Sequence, residues 1–88
     1  MKTEQKIKVT NDSSSFLTLW LEPWGEDYGM FPNEEFEIIA AEAEDKFCFH
    51  IFYAENGIQA YAEGDAKYVA VRQDGKLLSC GHNRQEKV

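Results

Sequence analysis

Apolar and polar positions alternate with a period of two along most of this chain, the mark of strands that bury one face. Lys6 to Thr10 sets Ile7 and Val9 against Lys6, Lys8 and Thr10, which predicts a first strand after a polar lead of Met1 to Gln5. Asn-Asp-Ser-Ser-Ser at 11–15 is a turn cluster, because short polar side chains hydrogen-bond to nearby backbone. Phe16 to Glu22 then reads as a second strand, with Leu17, Leu19 and Leu21 on one face and Phe16, Thr18, Trp20 and Glu22 on the other. Apolar groups on both faces place it centrally, with the leucines in the core. Pro23 ends it for want of an amide donor, and Gly25 and Gly29 allow the chain to bend.

Pro32-Asn33 suits the centre of a tight turn, proline setting the first dihedral and asparagine tolerating the second. Glu35 to Ala41 follows as a third strand, with Phe36, Ile38 and Ala40 inward and Glu35, Glu37 and Ile39 outward, and Ala41 to Asp45 reads as a charged loop. Lys46 to Ala54 is the strongest strand signal in the chain, rich in aromatic rings and apolar on both faces. Its period sorts Phe47, Phe49, Ile51 and Tyr53 from Cys48, His50 and Phe52.

Asn56-Gly57 is a pair that favours two-residue hairpins, so Ile58 to Glu63 folds back on that strand. After a turn at Gly64-Asp65, Lys67 to Arg72 alternates again, and Asp74-Gly75 predicts a hairpin into Lys76 to Cys80. The pattern amounts to about seven short strands with turn signals about every 8 to 12 residues and no helix of useful length. It predicts an all-β fold, a single small antiparallel β-sandwich or open barrel over residues 1–88, frayed at 1–5 and 82–88.

Composition changes this picture in two ways. With 88 residues there is room for one thin core, and a chain of this size hides only about 60 to 65% of the surface it exposes when unfolded. The net charge of −7 disfavours nucleic acid and anionic membranes, both of which need a field of Lys and Arg. The signs are segregated: between Glu22 and Asp65 the sole basic residue is Lys46, while Lys2, Lys6 and Lys8 precede that zone and Lys67, Arg72, Lys76, Arg84 and Lys87 follow it. Two electrical faces are expected if the ends meet. Met1 to Ser15 lacks the apolar core of a signal peptide, and two cysteines are too few for a secreted disulfide framework, so the expected location is the cytoplasm.

Two groups of residues are candidates for chemistry. The bend from Trp20 to Ile38 gathers Glu22, Glu26, Asp27, Glu34 and Glu35 beside Trp24, Tyr28 and Phe31. Aromatic faces next to carboxylates can hold the Lys or Arg of a protein partner, or stack on a sugar ring. Trp24, Glu26, Asp27 and Tyr28 form the expected partner-binding set; the plainer alternative has Trp24 and Tyr28 shielding the open end of a thin core. A glycosidase pair needs a cleft that a domain this thin can hardly enclose, and the acids do not follow the spacing of an EF-hand loop.

The second group is Cys48-Phe49-His50 with Cys80-Gly81-His82. Residues two apart share a strand face, so Cys48, His50, Cys80 and His82 would complete a zinc or copper site if the two pairs met in space. Otherwise the cysteines are small buried hydrophobes and the histidines lie at the surface. Neither cysteine has a flanking basic cluster to favour a nucleophilic thiolate.

The order of a Leu-rich strand, then Glu22-Pro23-Trp24-Gly25-Glu26-Asp27-Tyr28, then Phe31-Pro32-Asn33-Glu34 opening the next strand resembles a group of small uncharacterised bacterial β-sandwich proteins with a Glu-Pro-Trp-Gly bend. The resemblance covers the first half of the chain. It implies a compact β-fold, cupredoxin-like in outline, and no activity. Asn33 stands where such turns often have glycine, and the copper-ligand order of a true cupredoxin is not met, since Cys80 and His82 are too close together and no methionine follows. The expectation is a non-enzymatic binding or assembly module that uses the acidic aromatic bend on a protein partner or a second copy. The alternative is a small zinc- or copper-binding protein.

Overall fold

Eight strands carry the regular structure of residues 2–55 and 57–79, the part of the chain that the computed structural model describes. They are β1 (Thr3–Thr10), β2 (Leu17–Glu22), β3 (Glu26–Met30), β4 (Glu35–Ala43), β5 (Cys48–Ala54), β6 (Gly57–Glu63), β7 (Tyr68–Gln73) and β8 (Lys76–Leu77). Two four-stranded sheets result, in the orders β1-β4-β7-β8 and β3-β2-β6-β5, and they pack as an open β-sandwich rather than a closed barrel. All pairings are antiparallel except β2 with β6, which is parallel. Among the described residues no helix is long and apolar enough to cross a membrane.

The inward rows form the core as the period of two requires. Leu19 and Leu21 of β2, Tyr28 and Met30 of β3 and Ala60 of β6 meet Phe36 and Ile38 of β4 and Val71 of β7. Hiding an aliphatic or aromatic side chain contributes about 1.5 to 3 kcal/mol, so this cluster is the main source of stability. A smaller cluster of Ala40, Ala43 and Phe47 extends it, with Phe49, Ala62 and Val69 packed alongside.

Strand boundaries differ from expectation where pairing extends them. Thr3 to Gln5 belong to β1, and Ala41 to Ala43 belong to β4 rather than to a loop, because each supplies the other's hydrogen-bonding partner. The register shifts between Thr3 and Gln5, and β4 takes up its extra residue as a bulge with Glu42 at φ 50°. The bend is more regular than its composition suggests: Glu26 to Met30 pair with β2 as a hairpin, with Pro23, Trp24 and Gly25 at its tip. Gly25 takes φ 70° there, whereas Gly29 lies within β3.

Two turns form as the sequence indicates. Glu34 N–H donates to the Phe31 carbonyl at 3.1 Å around Pro32-Asn33, with Asn33 at φ 71°. Asp74 and Gly75 both adopt positive φ between β7 and β8. Gly57 serves differently: it is the first residue of β6, paired with Ala54, and a Cβ there would overlap the Thr18 carbonyl oxygen and the Trp20 ring. Glycine is required here because an indole crosses the backbone, and not for a place in the hairpin loop, since pairing with Ala54 makes Gly57 part of the strand rather than of the turn expected at Asn56-Gly57.

Asn11 ties the sheets together at one end. It is fully buried, and its amide nitrogen donates to the Ser15 and Met30 carbonyls at 2.8 and 3.0 Å. Its side-chain oxygen accepts from Ser13 N–H and Ser13 O–H at 3.1 and 2.7 Å. Its backbone N–H donates to the Glu34 carbonyl, and its own carbonyl accepts from Asn33 N–H.

The outward faces have opposite characters. On the β1-β4-β7 face, Lys6 and Lys8 pair with Glu37 and Glu35 at 3.7 and 3.9 Å, and Arg72 pairs with Glu37 at 3.1 Å. Among the described residues the two separate electrical faces expected from charge segregation do not form on this sheet, because β4 sits between β1 and β7 and Lys6, Lys8 and Arg72 pair with its acids. The β2-β6-β5 face is aromatic instead. His50 stacks on Phe52 with centroids 4.3 Å apart, and Phe52 meets Tyr61 edge-on at 5.3 Å.

Asn11→Ala leaves the buried Met30 carbonyl without its side-chain donor and removes the part-buried bonds to Ser13 and Ser15, and we expect it to cost about 1 to 3 kcal/mol in urea unfolding. Gly57→Ala forces the Trp20 ring off the sheet and costs about 1 to 3 kcal/mol in the same measurement.

Candidate functional site

The β2-β3 tip and the β6-β7 connection flank an open groove of about 500 Å³. Trp24 and Pro23 line it on the side of the tip, Asp65, Lys67 and Tyr68 on the other side, and Phe47, Ala62 and Val69 supply its apolar surface. The local chain explains why these residues hold their places. Glu22 Oε1 accepts from Gly25 N–H at 3.1 Å, which fastens the tip beneath Trp24. Glu44 N–H donates to the Asp65 carbonyl at 2.9 Å and Lys67 N–H to the Ala41 carbonyl at 2.8 Å, so the β6-β7 connection is fixed to the end of β4. Gly64, at φ 105°, packs close to the Phe47 backbone and lets that connection turn.

Glu26 enters the groove because it shares a strand face with Tyr28, two residues along β3. That face points inward, so Tyr28 is in the core while Glu26 lies at the groove. The Tyr28 hydroxyl donates to Glu26 Oε1 at 2.7 Å, and so orients the carboxylate. Lys67 is drawn to Glu42, outside the groove lining, at 3.6 Å. Two exposed rings, Trp24 at 53% and Tyr68 at 50%, therefore stand near two carboxylates, Glu26 and Asp65.

The partner-binding set expected from the sequence is thus divided. Trp24 and Glu26 line the groove; Tyr28 is 2% exposed and offers its hydroxyl rather than its ring. Asp27 alternates to the other face of β3, opposite Trp20. Asp65 and Tyr68 are not singled out by the sequence. Their signals there are an ordinary Gly-Asp turn and an outward aromatic at the start of a strand, and neither indicates what it faces. A second hollow, by Glu34, Glu35 and Glu37, is already satisfied internally: Gln73 and Phe31 N–H bond to Glu34, and Lys8, Lys6 and Arg72 pair with the other two.

Cys48 and His50 share the outward face of β5, as their spacing requires, and both are exposed rather than buried. Glu63 of β6 bridges them, with Oε2 3.1 Å from His50 Nδ1 and Oε1 3.7 Å from Cys48 Sγ. Cys80 and His82, the other half of the expected zinc or copper set, lie outside the described residues. Among the described residues no group of three or more His, Cys, Asp or Glu is arranged to hold a metal ion.

No protein-family model, curated protein or solved structure matches the chain.

Tyr28→Phe keeps the core ring and removes the hydrogen bond to Glu26, so unfolding stability should fall by about 1 kcal/mol. Trp24→Ala touches a ring that is half in solvent and should change stability by no more than about 1 kcal/mol. Equilibrium denaturation of both variants separates the structural residue of this pair from the surface one.

Proposed function

We propose that the chain is a non-enzymatic binding module that receives a basic segment of a protein partner in the Trp24-Tyr68 groove. The observation that carries this reading is the pairing of an exposed Trp24 ring with a Glu26 carboxylate held in place by the Tyr28 hydroxyl. A guanidinium laid on an aromatic face gains about 0.5 to 2 kcal/mol, more as water is excluded, and a neighbouring carboxylate adds about 0.2 to 1 kcal/mol where it stays exposed. One arginine is thus a weak ligand, and a run of several basic residues is needed for a dissociation constant on the order of 10 to 100 µM. The groove's volume falls in the range of about 300 to 1,000 Å³ usual for ligand sites, and the net charge of −7 favours the approach of a cation and opposes nucleic acid. The exposed free thiol of Cys48 suits the reducing cytoplasm as the setting.

Tryptophan fluorescence tests the reading, with Trp20→Phe leaving Trp24 as the reporter. A hexa-arginine peptide at low salt should quench or shift the emission, the response should weaken as salt is added, and Glu26→Gln should reduce the affinity several-fold. A neutral oligosaccharide should leave the spectrum unchanged. No response to the peptide at low salt, or a response to the sugar alone, overturns the reading.

A further inference from the structure

Among the described residues β5 is an edge strand, hydrogen-bonded to β6 on one side only. Its seven residues, Cys48-Phe49-His50-Ile51-Phe52-Tyr53-Ala54, contain no Asp, Glu, Lys or Arg, and all but Phe49 are exposed. Exposed edges are commonly blunted by charge, proline, a bulge or short length, because a free row of amides and carbonyls invites another strand. β5 has none of these and pairs with β6 without a register shift. The other edges are guarded: β1 presents Glu4, Lys6 and Lys8, β3 is five residues long and opens with Glu26-Asp27, and β8 has two residues.

The exposure of β5 is anomalous on its inward side as well. Ile51 and Tyr53 follow Phe49 along the row that faces the core, yet they are 45% and 81% exposed. A sandwich normally hides that row, so something further has apolar surface to gain there.

We propose that β5 is the seat of a two-fold homodimer, in which it pairs antiparallel with β5 of a second copy, Ile51 opposite Ile51, to join two four-stranded sheets into one. The strand is a palindrome of side-chain size and character, which is what an isologous contact requires. Centred on Ile51, the register sets His50 against Phe52, Phe49 against Tyr53 and Cys48 against Ala54: ring against ring, aromatic against aromatic, small against small. Ile51 and Tyr53 cover their counterparts on the inward side. On the outward side the His50-Phe52 stack meets its own mate, continuing the aromatic row that begins at Tyr61. No like charges face each other across the seam, although each copy carries a net charge of −7. A neutral strand is where two such molecules approach at least electrostatic cost, so added salt strengthens this contact while it weakens a basic ligand in the groove. The dimer rests on β5 alone and is independent of the groove.

Sedimentation of the full chain from micromolar to millimolar concentration tests the proposal. The wild type should pass from monomer to dimer, at lower concentration as salt is raised. Ile51→Lys and Tyr53→Lys, both at exposed positions, should keep the wild-type circular dichroism. Ile51→Lys should raise the dissociation constant about tenfold or more, because two ammoniums then face each other. The register is checked with Ile51→Cys in a Cys48→Ser, Cys80→Ser background. Directly opposed residues lie about 4.5 to 5.5 Å apart between Cα atoms, within disulfide reach, so this variant should form a covalent dimer under mild oxidation and Tyr53→Cys should not. A wild type that stays monomeric throughout overturns the proposal. So does an Ile51→Lys variant that dimerises as the wild type does, or failure of Ile51→Cys to cross-link.

Discussion

Asn11 is the point on which the two sheets depend. β1 and β4 belong to one sheet and β2 and β3 to the other, and close to their junction the chain crosses between sheets at 11–16 and again at 31–34. Both crossings expose backbone groups inside a packed region, where an unpaired carbonyl or amide is costly. One asparagine meets several of these demands at once, since its amide offers two donors and its oxygen two acceptor sites. The Ser15, Met30 and Glu34 carbonyls and the Asn33 amide are all tied to residue 11. No apolar residue of similar size could replace it, because the neighbouring groups would remain.

With that junction held, the thin core aligns the sheets, and the remaining design follows from what each outer face must do. The β1-β4-β7 face spends its charges on itself, in a lattice of Lys6, Lys8, Arg72, Glu35 and Glu37. The other face and its β5 edge carry rings and no such lattice. Function, on our reading, is divided between the end of the sandwich, where Trp24 and Glu26 sit, and the β5 edge, where two copies join. The opposite salt responses expected of the two proposed contacts follow from the same net charge.

Much of the fold was legible in advance. The period of two in Leu17-Thr18-Leu19-Trp20-Leu21 and in Phe36-Glu37-Ile38 predicts the buried rows, because strand geometry forces alternate side chains to opposite faces. Pro32-Asn33 and Asp74-Gly75 mark their turns by dihedral preference alone. β3 was not legible. Glu26-Asp27-Tyr28-Gly29-Met30 has no strand composition, and it becomes a strand because Leu17 to Leu21 supply a free edge and the tip turns the chain back onto it. The ends of β1 and β4 are hidden from the sequence for the same reason, since each is extended only by the other.

The candidate site was half legible. Trp24 and Glu26 stood out in the sequence, being unusual in a bend, whereas Asp65 and Tyr68 join them through the packing of the sheets. The most instructive case is Lys46 to Ala54, the strongest strand signal in the chain and apolar on both faces. Local preference determined that it is a strand, since backbone pleat and β-propensity act within a few residues. Whether such a strand lies at the centre or at an edge depends on which neighbours fill the sheet, a long-range choice that left β5 outermost among the described strands. The sequence by itself therefore determined which segments are strands, where the chain turns and which rows are apolar. The tertiary structure decided which rows are covered, because burial belongs to the packing of distant segments and not to any one of them.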